Sequence, residues 1–334
     1  MPESGTTPLG MAVIGCGRIS FSHVNAIVSQ PSVARLVAAV DADAGRAREV
    51  ADRHGAKAMA SLDEALADRE VDAVAICLPN EFHADAAIAA MRAGRHVLLE
   101  KPMAENAAQA IRMASVADET GLVLAIGQCR RQFGAIRTLM DRLPEFGPAI
   151  SVQVDLGVKW NDAQAPWWRD REKAGGLVIS LNGPHTLDFV QMVMGDDPIR
   201  VQAESVRRQS FWSGEDEAMI LLAYPGERLA SVRLSFNQAP VTNEKKILFE
   251  NASVRIVRDR ELWVNDLLEV AADPAEDKDY LDGAIEFCRQ LEEFANAVAG
   301  RPHRTVLHRE GVRLTHLMDA ALEAALTGRS VSPS

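Results

Sequence analysis

The sequence predicts an α/β fold in two domains. A doubly wound parallel sheet is expected over residues 1–127, and an α+β domain with a large, mostly antiparallel open sheet over residues 128–334. Three observations support this prediction. Short apolar segments alternate with helical patterns in the first part, strand patterns follow one another directly in the second, and a glycine-rich turn follows the first apolar segment. A chain of 334 residues has room for two cores.

The first domain is predicted from six short apolar segments, at residues 11–14, 36–40, 56–59, 71–78, 96–99 and 122–126. Stretches with helical spacing lie between them, among them residues 43–54 and 83–93, and Gly94 ends the second of these. Strands that alternate with helices are typical of βαβ units, which place the strands parallel in one sheet.

The second domain shows strand patterns at residues 149–158, 199–207, 219–224, 229–236, 247–249, 253–257 and 261–264. Because no crossover helices separate most of them, we expect a mostly antiparallel sheet. Two helices near residues 280–299 and 308–328 close the chain. An open face of this sheet would favour self-association, so we expect a homo-oligomer, a dimer or a tetramer.

Charge and composition exclude several classes of protein. The 47 Asp and Glu residues outnumber the 36 Lys and Arg residues, the formal net charge is −11, and no basic run is present, so we predict no nucleic acid partner. Apolar runs stay well below the roughly 18 residues of a spanning helix, and a secretory signal pattern is missing, so we predict no membrane association and a cytoplasmic location. The four cysteines are scattered, which predicts reduced thiols and no metal site.

A glycine-rich turn joins the first strand to the first helix, in the run VIGCGRIS that begins at Val13. Gly15 permits the tight turn, and Gly17 lets the backbone approach a pyrophosphate at the helix N-terminus. The third glycine of the usual motif is replaced by a small residue, Ser20. The turn indicates a Rossmann nucleotide site, and the alternative is an ordinary strand-to-helix turn. The predicted cofactor-binding residues in it are Gly15, Gly17, Arg18 and Ile19.

Asp41 ends the second strand segment, 24 residues after Gly17. A carboxylate at this place can accept hydrogen bonds from the ribose hydroxyls of an adenine dinucleotide, and it repels a 2′-phosphate. The next residue is Ala42, which offers no positive charge to such a phosphate, although Arg46 lies one helical turn further. We therefore predict NAD as the cofactor in preference to NADP. The alternative for Asp41 is a solvated carboxylate that contacts no nucleotide.

Two further motifs follow strands of the predicted parallel sheet, CLPNEFH from Cys77 and EKP from Glu100. Ligands of open α/β sheets bind outside the carboxyl ends of the strands, so both motifs should face the cofactor. Lys101 ends a buried strand, where desolvation and a nicotinamide cation would lower its pKa. It is a candidate general acid or base, and the alternative is a solvated lysine paired with Glu100. The cofactor contacts predicted here are Leu78, Pro79, Asn80, His83, Glu100 and Lys101.

The motifs GCGRIS, LPNEFH and EKP, at these spacings, resemble the Gfo/Idh/MocA oxidoreductases, the family of glucose–fructose oxidoreductase and inositol dehydrogenase. The resemblance covers nearly the whole chain, and EKP is its most specific motif. It implies that Lys101 is catalytic and that the Lys101–Pro102 bond is cis. Gln128, where the chain leads into the second domain, is added to the cofactor-binding residues on the same ground.

The resemblance also implies a substrate-side segment in the second domain. The run WWR and a pair of glycines precede His185 in an order similar to that of the family. By this resemblance, His185 contacts the reacting hydroxyl or ketone, although a lone histidine opening a helix is otherwise a buried packing residue. Trp168 and Arg169 are predicted to stack against and hydrogen-bond a sugar, with plain core tryptophans as the alternative.

One position departs from the family pattern. Family members often carry Asp or Asn four residues before this histidine, whereas Leu181 stands here. Asn182 lies three residues before His185 and can share its helix face, so it is included among the substrate-binding residues. An amide orients a substrate but accepts no proton, which leaves Lys101 as the better acid or base.

Three functions follow from these residues. The first is an NAD-dependent dehydrogenase or reductase in which hydride passes between nicotinamide and a sugar, cyclitol or related polyol. The second is a glycoside hydrolase of the same fold family that retains its NAD. The third is a non-catalytic nucleotide-binding protein, to which the Leu181 departure points.

Overall fold

The structure is a computed structural model and describes residues 7–277 and 284–333. The described residues form two compact units. The first unit takes Met1–Ala104, Ala108–Gln132 and Pro274–Val312, and the second takes Glu105–Ala107, Phe133–Asp273 and Arg313–Ser334.

The strands, in chain order, are β1 (Leu9–Ile14), β2 (Ala34–Val40), β3 (Lys57–Met59), β4 (Ala73–Ile76), β5 (His96–Glu100), β6 (Leu124–Gly127), β7 (Ala149–Lys159), β8 (Arg200–Val206), β9 (Glu217–Tyr224), β10 (Arg228–Ser235), β11 (Asn237–Phe249), β12 (Ser253–Val257), β13 (Glu261–Val264), β14 (Leu267–Val270) and β15 (Val306–Leu307). The helices are α1 (Ser20–Ser29), α2 (Ala44–His54), α3 (Leu62–Ala67), α4 (His83–Arg92), α5 (Ala107–Thr120), α6 (Gly134–Phe146), α7 (Arg171–Ala174), α8 (Val178–Met194), α9 (Ile285–Val298) and α10 (His308–Thr327). Short 3₁₀ helices occur at Asn80–Phe82, Cys129–Gln132, Pro166–Arg169 and Pro274–Glu276.

Within the described residues, the first sheet has seven strands in the order β15-β6-β5-β4-β1-β2-β3. All neighbours are parallel except the edge pair β15 and β6. Side chains of β1 alternate between two cores: Met11 and Val13 pack into the core that includes residues of α1 and α9, and Ala12 and Ile14 into the core that includes residues of α4 and α5. This burial on both faces explains why the strand is continuously apolar, and it confirms the doubly wound sheet.

The second sheet has eight strands among the described residues, in the order β14-β13-β12-β11-β7-β10-β9-β8. Neighbours are antiparallel except β10 and β7, which run parallel. Inward side chains of these strands share one core with α6, α8 and α10. The opposite face carries the exposed side chains Met219, Leu221 and Leu229. The predicted α+β architecture is confirmed.

The segment Pro274–Val312 lies in the first unit, although the division at residue 127 assigned it to the second domain. The physical reason is its packing. Phe287 and Phe294 of α9 are buried in a core of the first sheet, and β15 pairs with β6 at the edge of that sheet. A helix pattern shows that one face must be buried but does not show which core it joins.

Some elements differ from the prediction. β11 begins at Asn237, ten residues before the predicted start, because its first eight residues are exposed or half-buried and show no apolar alternation. β14 is mostly exposed and β15 has two residues, so neither leaves an apolar pattern. Of the predicted helix at 280–299, α9 begins at Ile285, and residues 280–283 lie outside the described residues. Among the helices described, none combines the length and apolarity that crossing a membrane requires.

Candidate active site

The turn after β1 is shaped by a glycine that no other residue can replace without strain. Gly15 has φ of 92°, a conformation that disfavours every side chain. A Cβ atom built on it would lie 2.8 Å from the carbonyl oxygen of Cys77. The Gly15 N–H also donates a hydrogen bond to the Val40 carbonyl, at 2.8 Å. The turn is therefore pressed against the ends of the neighbouring strands β4 and β2.

The second glycine of the turn has open space around it. A Cβ atom built on Gly17 would meet no atom within 4 Å. The Gly17 carbonyl accepts a hydrogen bond from the Ser20 hydroxyl at 2.6 Å, and no side chain caps the N-terminus of α1. Arg18 is exposed and Ile19 is half-buried. This open cradle at a helix N-terminus fits a dinucleotide pyrophosphate.

Asp41 is fixed at the end of β2 by backbone groups. Its Oδ2 accepts the Cys16 N–H and its Oδ1 accepts the Asp43 N–H, both at 2.8 Å. Each carboxylate oxygen keeps a further lone pair for a ribose hydroxyl. Arg46 pairs instead with Asp43, at 3.7 Å. Burial, with the charge of Asp41, raises the pKa of the Cys16 thiol to about 12, so this cysteine stays neutral in the turn.

His83 lies beneath the predicted cofactor contacts. Its side chain is 0% exposed, with Nδ1 2.8 Å from the Pro102 carbonyl oxygen and Nε2 2.9 Å from the Leu78 carbonyl oxygen. Burial lowers the pKa of this imidazole. A neutral ring has one N–H, so His83 donates to one of these carbonyls and lies against the other, between the segments after β4 and β5. Asn80 is also buried and begins the 3₁₀ helix that follows Pro79.

Lys101 directly follows β5 and is partly exposed, and its bond to Pro102 is cis. Burial lowers the pKa of its amine, and the charge of Glu100 partly opposes that shift. Glu100 is buried, and its Oε2 accepts the Lys101 N–H at 3.2 Å. Gln128, which follows β6, is buried as well. These side chains lie at the carboxyl ends of parallel strands.

Sequence reasoning missed one residue of this group, His23 in α1. Its Nε2 lies 2.8 Å from Glu100 Oε1, and its ring meets Phe287 edge-on at 5.3 Å. It stands in the helix as a single buried histidine between small and apolar residues. The only signal in the sequence was its place in the helix after the glycine turn. We call the turn at residues 15–17, the segments 77–83 and 100–102, and His23 the strand-end region.

In the second unit, α8 carries the predicted substrate residues. Asn182 and His185 are partly exposed, whereas the rest of the helix from Val178 to Val190 is buried. Leu181 stands one helical turn before His185, is 6% exposed and belongs to the core. The departure from the family pattern therefore places a buried apolar side chain, instead of a polar one, one turn before His185.

The start of α8 is held by a residue distant in sequence. Buried Glu215 accepts the N–H groups of Leu177 at 2.7 Å and Ile179 at 3.3 Å through Oε1. The backbone carbonyl of Glu215 accepts the Val178 N–H at 3.0 Å. A carboxylate at a helix N-terminus satisfies open N–H groups and complements the helix dipole. Glu215 thus fixes the helix on which Asn182 and His185 stand.

Trp168 and Arg169 belong to an aromatic cluster in the same unit. Trp168 stacks on Phe236 at 6.1 Å, with Trp160 and Trp167 at its edges. Exposed Arg169 donates to Asp162 Oδ1 at 2.6 Å. We call α8, Glu215 and this cluster the α8 region. Within the described part of the chain, no group of three or more His, Cys, Asp or Glu side chains is arranged to hold a metal ion.

Comparison with known proteins identifies the family. Residues 9–128 match the family model described as the oxidoreductase family with an NAD-binding Rossmann fold. Residues 136–255 match the model of the GFO/IDH/MocA C-terminal domain, so the two models cover well over half of the chain. The chain belongs to the Gfo/Idh/MocA oxidoreductase family. Its first unit is therefore an NAD-binding Rossmann domain, and the resemblance carried by the three motifs is confirmed.

Individual relatives agree with the family. The chain is 34% identical over 173 residues to 1,5-anhydro-D-fructose reductase of Ensifer adhaerens, a match that covers 51% of this chain and 52% of that protein. It is 29% identical over 201 residues to inositol 2-dehydrogenase 2 of Saccharopolyspora erythraea, covering 60% and 58%. The chain thus spans little more than half the length of these curated relatives.

A solved structure shows the same fold. The WlbA dehydrogenase of Bordetella pertussis, in complex with NADH and UDP-GlcNAcA, is 22% identical, with a TM-score of 0.82. The match covers 97% of this chain and 98% of that chain.

Proposed function

We propose that this protein is an NAD-dependent oxidoreductase that transfers hydride between nicotinamide and a CH–OH carbon of a sugar, cyclitol or related polyol. The observation that carries the proposal is Lys101. This residue is partly exposed at the carboxyl edge of a nucleotide-binding sheet, and burial lowers the pKa of its amine toward the range of a working acid or base.

The proposed reaction divides the work among residues of this chain. The bound NAD supplies the hydride acceptor or donor. Lys101 in its neutral form takes the hydroxyl proton during oxidation, and as an ammonium ion it returns that proton during reduction. His185 orients the substrate oxygen or assists the transfer, and Asn182 on the same helix face supplies an amide for a further hydroxyl. Trp168 and Arg169 are proposed substrate contacts.

The proposed cofactor residues differ in the part of the cofactor site that they form. Gly15, Gly17, Arg18, Ile19 and Asp41 would hold the pyrophosphate and the adenine ribose. Leu78, Pro79, Asn80 and Gln128 would line the rest of the site, and the buried residues His83 and Glu100 would support it from below. NADP is the less favoured cofactor, because Arg46 is directed to Asp43 and Asp41 opposes a 2′-phosphate.

The names of relatives support the substrate class. The Ensifer protein is named a reductase of an anhydro sugar, and the Saccharopolyspora protein an inositol dehydrogenase. These names favour a dehydrogenase or reductase over a hydrolase that retains NAD and over a non-catalytic binding protein.

We also propose that the open face of the second sheet joins two copies of this chain. Met219, Leu221 and Leu229 expose their apolar side chains there, on the same face as the ion pair of Arg233 with Asp155 at 2.9 Å. Apolar side chains with charges of both signs can meet their own copy across a twofold axis. Light scattering tests this: a mass of one chain at micromolar concentration contradicts it.

The four cysteines are free thiols, which supports the proposed cytoplasmic location.

The test of function is a panel of sugars, cyclitols and sugar derivatives, assayed with NAD by NADH absorbance. We expect at least one polyol to give sustained NADH formation. Cofactor that stays bound while glycosides are hydrolysed would favour the retaining hydrolase instead. Tight NADH binding without turnover of any substrate in the panel would favour the non-catalytic protein.

A further inference from the structure

A buried ion pair lies directly beneath the strand end that carries Lys101. His23 of α1 and Glu100 of β5 are 3% and 6% exposed, and His23 Nε2 lies 2.8 Å from Glu100 Oε1. Removing two charges from water is costly, and the attraction between them offsets that cost only with good geometry and further hydrogen bonds. A pair in this place therefore calls for a physical explanation.

Further contacts hold both members of the pair. Glu100 Oε2 accepts the Lys101 N–H at 3.2 Å, and the His23 ring meets Phe287 edge-on at 5.3 Å. Burial alone would lower the pKa of His23, but Cys77 and Glu100 together raise it to about 10. Burial would raise the pKa of Glu100, but His23 and Lys101 lower it. These shifts favour the imidazolium form of His23 and the carboxylate form of Glu100.

We propose that His23 is a positioning residue for the reaction: its imidazolium balances the Glu100 carboxylate, so that the neighbouring Lys101 amine can reach the neutral form that accepts a proton. The inference rests on the proposed role of Lys101 as the acid or base. Without a balancing charge, the Glu100 carboxylate would hold Lys101 as an ammonium ion, because a nearby opposite charge favours the charged form.

Other titratable groups also face this site. Cys129 is neutral, because burial raises the pKa of its thiol to about 12, and the charge of Glu100 adds to that rise. Arg130 acts to lower the pKa of Lys101, and Glu286 acts to raise that of Cys129. The groups around the pair and the amine are Cys77 after β4, His83 at the start of α4, Cys129 and Arg130 after β6, and Glu286 of α9. His23 contacts Glu100 Oε1 directly and lowers the pKa of that carboxylate more than Lys101 does.

The test uses His23→Gln in the full chain. Glutamine keeps a donor near the position of Nε2 and removes the positive charge. In oxidation, kcat/KM of the wild type should rise with pH through the pKa of Lys101. We call this rise the limb of the pH profile. His23→Gln should shift the limb to a pH about one unit higher, because removing a positive charge raises the proton affinity of its neighbours. The dissociation constant for NADH should change by less than about twofold, because the substitution shifts a proton equilibrium and removes no contact with the cofactor.

Two variants serve as controls. In the double variant His23→Gln/Glu100→Gln the charges of the pair are both gone, and the limb should return to within a few tenths of a pH unit of the wild type. His96→Asn changes a histidine at the other end of β5 that accepts the Val123 N–H at 3.1 Å, and it should leave the limb in place. A His23→Gln enzyme that loses activity equally at every pH, with no movement of the limb, overturns the proposal.

Failure of this inference differs from failure of the proposed function. A limb that Lys101→Met abolishes and His23→Gln leaves in place refutes only the role of His23. A wild-type limb that survives Lys101→Met refutes the role of Lys101 and this inference with it. A measurement on the unaltered protein remains decisive if the variants do not fold. Nitrogen NMR of labelled histidine should show one ring still doubly protonated at about pH 8, and neutral rings throughout would overturn the proposal.

Discussion

The strand-end region and the α8 region are built in different ways. In the strand-end region, neighbouring strand ends supply most of the contacts, and many are backbone groups: Gly15 is pressed against Cys77, and His83 lies between the carbonyls of Leu78 and Pro102. In the α8 region, the helix is fixed by Glu215, which lies 38 residues beyond its partner Leu177. One region depends on strand order and the other on packing between remote segments.

This difference predicts different effects of substitutions in the two regions. Substitutions in the strand-end region should act on the cofactor and on proton transfer, because the groups there lie at the carboxyl ends of the sheet. Substitutions of the groups that support α8, such as Glu215, should act first on stability and only through it on the substrate contacts of Asn182 and His185. Substitutions in both regions test this contrast.

The largest effect is expected for the two proposed catalytic residues, one from each region. Lys101→Met keeps most of the stem volume and removes the amine, so turnover should fall by roughly 10²–10⁴ while NADH still binds. His185→Ala should lower turnover less, because Leu181, one turn earlier, supplies no carboxylate to strengthen the ring as a base. Turnover and calorimetric NADH binding of both variants provide the test. Near-normal turnover in Lys101→Met with an inactive His185→Ala would reverse the two roles.

A second prediction compares two helix caps. Glu215→Ala leaves the buried N–H groups of Leu177 and Ile179 without their carboxylate acceptor, so the free energy of unfolding should fall by about 2–3 kcal/mol. Asp43→Ala removes an exposed cap whose Oδ1 accepts the Gly45 N–H at 2.8 Å, and it should cost about 1 kcal/mol. Urea unfolding measures both. Equal losses of unfolding free energy in the two variants would show that the Glu215 cap of α8 stabilises the protein no more than the exposed Asp43 cap of α2.

The same contrast explains what the sequence could predict. The glycine turn and the EKP segment are local motifs, so the positions of their residues can be predicted once the order of β1, β4 and β5 is known. The His23–Glu100 contact joins residues 77 positions apart, and neither has a spacing pattern that reveals the other. The contact of Glu215 with α8 and that of Phe236 with Trp168 could not be predicted either, because a sequence pattern shows that a side chain is buried but not what it contacts.

A third prediction concerns the two glycines of the turn. Gly17→Val fills open space, so the protein should fold as before while NADH affinity falls roughly tenfold or more, because the side chain occupies the approach to the pyrophosphate. Gly15→Val differs, since φ of 92° and the Cys77 carbonyl leave no room for a side chain, and the fold itself should be destabilised. Calorimetry and thermal melting separate the two outcomes. Unchanged NADH binding in folded Gly17→Val would place the pyrophosphate elsewhere.

The smallest effect is expected at Arg46, and it tests the choice of cofactor. Arg46 and Asp43 form an exposed pair at 3.7 Å, which contributes little, so Arg46→Ala should change NADH affinity less than about twofold. NADPH should bind more weakly than NADH to both the wild type and this variant. The reason is that two backbone N–H groups hold the Asp41 carboxylate in place, where it opposes a 2′-phosphate.

Dissociation constants for the two reduced cofactors, with Asp41→Ala as a comparison, complete this test. Removing the carboxylate should narrow the gap between NADH and NADPH, because the ribose hydroxyls lose their acceptor and the 2′-phosphate loses its repulsion. Tighter binding of NADPH than NADH to the wild type would mean that Arg46 turns from Asp43 to the phosphate. The strand-end region would then owe part of its specificity to a mobile surface side chain, and the backbone-held carboxylate would not decide it alone.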